Sequence, residues 1–156
     1  MKRRGSKHLT NKWLKTKAIV RDAKVRGWVP DTRLMNLPSL RAMLRRYGMV
    51  YVKPVSGTYG RGVMRVEAGK GAYAYQVEQT KRRFATIEAL YRSIVRHKRK
   101  RPYLVQRGIR LLKYKGRRFD IRVMVQRNLK GRWETTGIIG RVAHPRKIVT
   151  NFHSGG

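Results

Sequence analysis

The sequence contains no cysteine, which excludes disulfides, thiolate catalysis and cysteine-ligated zinc. Its four histidines have neither H-x-x-x-H spacing nor an acidic neighbour, so we interpret them as solvated or locally bonded and predict no metal site. No apolar run approaches the ~18 residues that a membrane-spanning helix needs. The basic amino end is not followed by an apolar segment, so a cleaved signal peptide is not expected. These absences favour a cytoplasmic location.

Acidic residues are also scarce. Asp and Glu number 7 against 40 Lys and Arg, which gives a formal net charge of +33. A folded chain with this charge repels itself and attracts anions. Nucleotides, nucleic acids, anionic polymers and acidic membrane surfaces all fit, and the charge does not choose among them. With 156 residues, 40% of them hydrophobic, the chain is large enough to bury one modest core.

Residues 50–63 predict a β-strand that ends in a lysine and is followed by a glycine-rich loop. Valines alternate with Tyr51 and Lys53 in the strand, and a second strand-like run follows at residues 63–67. The loop therefore joins two strands, whereas the dinucleotide fingerprint and the P-loop both lead from a strand into a helix. We interpret it as a cradle for phosphate, with an ordinary hairpin connection as the alternative. The glycines that would free its backbone are Gly57, Gly60 and Gly62.

Two amphipathic helices are predicted, the first beginning at Asn36 or Ser39 and ending at Gly48. The second is capped by Thr86 and runs into the basic segment 96–101. That segment is either a polyanion-binding surface or a solvated helix end that complements the helix dipole. Residues 1–33 predict an irregular helix with an extended arm, either a lead-in that packs on the domain or an arm that binds nucleic acid.

An antiparallel strand is predicted over residues 72–77, a short apolar strand over 103–106, and the most regular strand over 119–126. In this last strand Asp120 and Arg122 lie on one face, where a structural Asp–Arg pair is one possibility and a functional pair another. A turn at 128–131 leads to a partner strand over 132–142. The predicted fold class is therefore α+β, with helices packed on antiparallel sheet.

Three motifs now stand in order: the Lys53 strand with its glycine loop, the Asp-x-Arg strand, and the segment Asn151-Phe152-His153-Ser154-Gly155-Gly156. In this order they resemble the ATP-grasp superfamily. The chain is most similar to its YheC/YheD group of spore-coat-associated proteins, over roughly residues 28–156. The stretches that carry the group likeness are Pro30-Asp31-Thr32-Arg33, Tyr51-Val52-Lys53-Pro54, Val105-Gln106-Arg107-Gly108-Ile109 and the Asn151 segment.

The resemblance implies an ATP site clasped between two α+β subdomains, in a family of carboxylate–amine ligases. We expect a basic lead-in over 1–33, a first subdomain with the glycine loop over 34–101, and an incomplete second subdomain over 102–156. By the resemblance Lys53 contacts phosphate or the adenine edge, and Asp120 orients polar groups around the nucleotide. Arg141 is a guess at a substitute for a ligase arginine, because Val149 stands where that arginine is often found.

The resemblance also supplies the site residues. Residues 106–109 are expected to receive the adenine through backbone N–H and C=O groups, and the arginine and asparagine of the motifs to face the transferred phosphate. The expected ATP-binding residues are Lys53, Gly57, Gly60, Arg61, Gly62, Gln106, Arg107, Gly108, Ile109, Asp120, Thr150 and Asn151. The expected catalytic residues are Arg122 and Asn151.

Magnesium accompanies ATP in this family, and it needs carboxylate ligands. Family domains take these ligands from strands beyond the His-x-Gly-Gly segment, and no acidic residue here follows Glu134. We therefore expect the amino-terminal part of an ATP-grasp domain, which binds ATP without turning it over. The alternative is a basic protein, of the spore coat or otherwise, that uses this scaffold to bind nucleic acid or another polyanion through residues 1–26 and 96–101.

Overall fold

The computed structural model describes residues 10–69, 71–98 and 100–150. They form antiparallel sheets with helices, so the α+β class predicted from the sequence is confirmed. The helices are α1 (Lys12–Ile19), α2 (Leu37–Tyr47) and α3 (Ile87–Lys98), with a 3-10 turn at Arg26–Trp28. The strands are β1 (Thr32–Leu34), β2 (Met49–Pro54), β3 (Met64–Gly69), β4 (Ala72–Val77), β5 (Thr80–Phe84), β6 (Tyr103–Arg107), β7 (Lys113–Tyr114), β8 (Arg117–Arg127) and β9 (Trp133–Val142).

A six-stranded sheet in the order β1-β6-β2-β3-β4-β5 forms the centre of the molecule. Its strands alternate between a buried and a partly exposed face, most regularly in β2, and α2 and α3 supply the apolar side chains that complete the core. Burial of apolar surface at this interface is the main force that holds the helices to the sheet. Among the described residues, the fully buried side chains include Leu40, Met43, Leu44, Val50, Val52, Met64, Val66, Leu90, Ile94, Leu104 and Val105.

Local sequence determines where α2 and α3 begin and end. The Asn36 side chain accepts a hydrogen bond from the Ser39 N–H at 2.8 Å, and Gly48 ends α2 with a left-handed φ of 68°. Thr86 Oγ1 accepts from the Ala89 N–H at 3.2 Å, which caps α3 as predicted. The helix ends at Lys98, so it stops short of the full basic segment 96–101.

The second sheet has three strands in the order β7-β8-β9, and most of it is the long β8–β9 hairpin. The turn predicted at 128–131 closes this hairpin, with Gly131 at a φ of 75°. A register shift between Met124 and Val125 interrupts the strict alternation expected along β8. Many apolar side chains of the hairpin are exposed, among them Ile138 at 68%.

Three strands were not predicted, and two of them belong to the large sheet: β1 pairs with β6, and β5 forms the opposite edge. The irregular helix expected in residues 1–33 is confined, within the described part, to α1 and the 3-10 turn. Strands β1 and β6 lie in the same sheet as β2, although the predicted boundaries assign them to the lead-in and to the second subdomain. The three-part division stays a prediction, and this pairing shows how closely its parts are joined.

Candidate functional site

A cavity of 310 Å³ opens on the face of the large sheet that α2 and α3 do not cover. Register places Tyr51, Lys53 and Gln106 on this face, because Tyr51 lies directly opposite Gln106 and two residues from Lys53. The remaining lining comes from Val63, Arg107, Ile109, Leu111, Asp120, Arg141 and residues 148–150. The predicted site residues that the structure brings together here are Lys53, Gln106, Arg107, Ile109, Asp120 and Thr150.

A chain of hydrogen bonds fixes the polar groups on the sheet side of the cavity. Lys53 Nζ donates to Gln106 Oε1 at 2.5 Å, and Gln106 Nε2 donates to Thr32 Oγ1 at 2.7 Å. The Thr32 hydroxyl in turn donates to the carbonyl oxygen of Pro30 at 2.8 Å. Strand β1 therefore sets the orientation of the Gln106 amide, and that amide turns its oxygen toward the lysine.

Lys53 lies in a setting that disfavours its positive charge. Burial, and then the nearby charge of Lys12, lower the pKa of the Lys53 ammonium from its ordinary value. Lys12 itself is bound to the backbone at the start of the glycine loop, donating to Pro54 O at 3.2 Å and to Gly57 O at 2.7 Å. An anion in the cavity would relieve the unfavourable setting of Lys53, so the lysine is suited to receive one.

Across the cavity, Asp120 and Arg141 form a two-point ion pair. Arg141 Nε donates to Asp120 Oδ1 at 2.9 Å and a terminal nitrogen to Oδ2 at 2.5 Å, as the pairing of β8 with β9 allows. Partial burial on its own raises the pKa of Asp120, but hydrogen bonds from Arg141 and Thr150 and the charges of Arg141 and Arg122 outweigh it. The pKa of Asp120 is therefore lowered, and the carboxylate is held ionised.

The segment expected to receive adenine is partly used by the sheet itself. The Arg107 N–H donates to Asp31 O at 2.8 Å, and the Gly108 N–H donates to Met49 O at 3.1 Å. Neither N–H is therefore turned toward the cavity to read a base edge. Gly108 does not line the cavity, and a Cβ there would lie 2.8 Å from Met49 O and collide with the Met49 sulfur. Its lack of a side chain thus has a packing reason, while the half-exposed Ile109 remains an apolar wall of the cavity.

The glycine loop does not line this cavity, although Val63 at its end does. Gly57, Gly60 and Gly62 all have positive φ, which confirms that the loop needs glycine for its backbone. At Gly62 there is a second reason, since a Cβ would lie 2.7 Å from the hydroxyl of Tyr103. The predicted contacts of Arg61 and the glycines with phosphate stay predictions.

The two expected catalytic residues lie apart from this arrangement. Arg122 is exposed on β8 and does not line the cavity, although its charge reaches Asp120. Asn151 lies outside the described residues, as does the glycine segment that follows it. Their proposed roles stay predictions.

Several residues that build the site were not predicted as site residues from the sequence. Thr32 and Lys12 hold Gln106 and the loop entrance, and Tyr51 lines the sheet face. Arg141, named only as a guess, is the partner of Asp120. Regular pairing outward from the predicted 128–131 turn would place residue 139 opposite residue 120. The observed register, with its shift between Met124 and Val125, brings residue 141 there instead. Thr32 and Lys12 had no local signal either.

The described residues do not gather a cluster of possible metal ligands. Within 10–69, 71–98 and 100–150, no group of three His, Cys, Asp or Glu side chains comes together. Asp120, a carboxylate of the cavity, has both oxygens bound by Arg141. We therefore assign no step through magnesium to these side chains. None of the described helices is long and apolar enough to cross a membrane.

Comparison with known proteins agrees with these features. The family described as YheC/D like ATP-grasp matches the chain over residues 4–156. Among curated proteins, the chain is similar to the endospore coat-associated protein YheD of Bacillus subtilis (strain 168), with 24% identity over 97% of this chain. It spans 35% of the length of that relative. No solved structure matches the chain. With nearly all of its residues matched by the family profile, the chain belongs to the YheC/D-like ATP-grasp family.

Proposed function

We propose that the chain binds ATP in the 310 Å³ cavity between the large sheet and the β8–β9 hairpin. One observation carries the proposal: residues from three distant segments, each expected from the ATP-grasp likeness, line the same cavity. A lysine with a lowered pKa, an oriented amide and an apolar wall are the kinds of groups that a nucleotide needs. Family membership gives the ATP-grasp scaffold, and the identity of the ligand is our inference.

Each wall of the cavity contacts a different part of the nucleotide. The Lys53 ammonium binds a phosphate oxygen, and the Gln106 amide exchanges its bond to the lysine for one to the nucleotide. Ile109 packs against the adenine ring. Asp120, held by Arg141, contacts the ribose or orders the polar groups around it. The glycine loop, anchored by Lys12, closes over the phosphates.

Binding of ATP is tested by titration calorimetry at constant ionic strength. A hydrogen bond to a charged group contributes about 1.5–3 kcal/mol, so Lys53→Met should weaken ATP binding about tenfold or more. The matched control is Lys81→Met on the exposed strand β5, which removes the same charge far from the cavity. ATP affinity that falls equally in both variants would mean that bulk charge, and not this cavity, holds the nucleotide.

We also propose that the chain does not turn ATP over through its described residues. The support is that Asp120 is already bound by Arg141 and that the described side chains gather no metal-binding group. A coupled assay of ATP hydrolysis with magnesium tests this. Turnover that disappears in Lys53→Ala or Arg122→Ala would overturn the proposal and restore a ligase-like reaction.

A second candidate is binding of a polyanion, in the spore coat or elsewhere. Its support is the density of cations around the end of α3 and the likeness to YheD, an endospore coat-associated protein. Such binding should be independent of sequence and strongly salt-dependent. Titration of a labelled random oligonucleotide over a range of salt concentrations tests it. Affinity that persists at high salt, or no affinity at low salt, would contradict this candidate.

A further inference from the structure

A second cavity, of 560 Å³, lies between strands β4 and β5 and the carboxyl end of α3. We call it the β5–α3 cleft, and its polar lining comes from Tyr75, Glu78, Thr80, Arg82, Ser93, Arg96 and His97. The cleft joins two basic stretches that are distant in sequence, because Arg82 comes from the edge strand and Arg96 from the helix end. The glycine loop touches it through Gly62.

The cleft and the proposed ATP cavity lie on opposite faces of the sheet. Val66 is buried in the core, and Tyr75 lies directly opposite it in the pairing of β3 with β4. Arg82 lies opposite Tyr75, so it shares this helix-covered face. Lys53 is one residue away from the core residue Val52 and therefore points to the other face. A ligand in the cleft would not occupy the ATP cavity.

The two arginines of the cleft are not ion-paired within the described part of the chain. Among the described residues, the guanidinium groups of Arg82 and Arg96 form no ion pair and no side-chain hydrogen bond, in contrast to Arg41, Arg65 and Arg141. Glu78 lines the same cleft without forming an ion pair to either arginine. Two guanidinium groups and an imidazole around one cavity attract an oxyanion, and the planar fork of arginine fits phosphate well.

The floor of the cleft carries buried hydroxyl groups. Tyr75 and Ser93, 2% and 5% exposed, share one hydrogen bond at 3.0 Å between their oxygens. Two hydroxyls possess two hydrogens, and this bond uses one of them. The other has no acceptor among the described residues, so the pair can donate one hydrogen bond to a ligand oxygen. A buried hydroxyl without an acceptor costs stability, which a bound anion would recover.

We propose that the β5–α3 cleft binds a phosphate group, either as the free ion or as the phosphate end of a larger molecule. Arg82 and Arg96 hold its oxygens from opposite sides, and the Tyr75–Ser93 pair donates to it from the floor. The site is separate from the proposed ATP site and does not depend on it. Because Gly62 borders the cleft, a phosphate bound there would also lie beside the glycine loop.

Titration of the isotope-labelled chain with inorganic phosphate, followed by amide NMR at constant ionic strength and pH, tests the proposal. Amide shifts should concentrate in residues 75–82 and 93–98. Arg82→Gln and Arg96→Gln should each weaken phosphate binding about tenfold, the effect of a charged hydrogen bond of about 1.5 kcal/mol or more. The matched controls, Arg83→Gln on the opposite face of β5 and Arg92→Gln one turn earlier in α3, should change it less than twofold.

Phenyl phosphate in place of the free ion separates the two sources of the group. Comparable or tighter affinity would indicate the phosphate end of a larger molecule, and at least fivefold weaker affinity would indicate the free ion. Equal losses of phosphate affinity in all four arginine variants would show that bulk charge holds the phosphate, and would overturn the proposal. Absence of phosphate binding, or shifts confined to residues 51–53 and 106–109, would overturn it as well. Lys53→Met should retain phosphate affinity in the cleft while losing ATP affinity.

Discussion

The large sheet and the β8–β9 hairpin have similar alternating sequences but very different surroundings. In the sheet, Val52 and Met64 are fully buried under α2 and α3. In the hairpin, Val123 and Met124 are each 51% exposed, although both belong to a well-paired strand. Alternation therefore predicts that a strand forms, in the covered sheet and in the exposed hairpin alike. Burial depends in addition on a covering layer, which a strand's own sequence does not reveal.

The largest effect that sharpens this contrast comes from two matched methionines. Met64→Ala should lower the free energy of unfolding by about 2–5 kcal/mol, because it leaves a cavity in the core. Met124→Ala removes a half-exposed side chain and should cost about 0.5 kcal/mol or less. Urea unfolding of both variants at the same salt concentration measures the difference. Equal losses would show that the hairpin is covered in solution.

Two glycines extend the comparison to the backbone. Gly108→Ala should lower the free energy of unfolding by about 1–3 kcal/mol, since the new Cβ would crowd Met49. Gly140→Ala in β9 meets nothing within 4 Å and should change it by about 0.5 kcal/mol at most. Thermal unfolding of the two alanine variants checks this. A neutral Gly108→Ala would mean that β2 and β6 are less closely packed than described.

The smallest effect concerns the ion pair that joins the two hairpin strands at the cavity. The pKa of Asp120 is lowered in the folded chain, so the ion pair stabilises the folded state at pH values above the pKa of an unfolded Asp. That stabilisation is lost as the pH falls through the lower folded-state pKa. Asp120→Asn should therefore cost about 1 kcal/mol at neutral pH and progressively less in acid.

Unfolding measured between neutral and acidic pH tests this dependence. Arg141→Gln should reproduce it, because it removes the same hydrogen-bonded partner. Arg122→Gln, on an exposed side chain that acts only through its charge, should give a much smaller change. A pH-independent loss in Asp120→Asn would show that the carboxylate contributes through packing alone.

The elements predicted from sequence are those whose signal is local. The caps at Asn36, Thr86 and Gly48 and the alternation in β2 and β8 need no knowledge of distant residues. Strand β1 is three residues long, and β5 is a run of charged residues at a sheet edge, so neither carries an apolar pattern. Their formation depends on a neighbouring strand that presents free backbone groups.

The same distinction holds for the candidate site. Lys53, Gln106 and Asp120 were found through motifs, and the structure brings them to one cavity. The contact between Lys12 and the loop entrance spans 45 residues in sequence, and no local pattern announces it. The lowered pKa of Lys53 could not be predicted from the sequence either, because the burial that lowers it comes from surroundings assembled from several strands.

The bond between Gln106 and Thr32 has a consequence for shortening the chain. From sequence, residues 1–33 are predicted to be a basic lead-in that packs on the domain or binds nucleic acid. Removal would also delete the edge strand next to β6 and the acceptor that orients the Gln106 amide. The Gln106 amide nitrogen would then lose its acceptor, and Lys53 alone would hold the amide through its oxygen. A trimmed protein that still folds would thus have a less firmly oriented amide in one wall of its cavity.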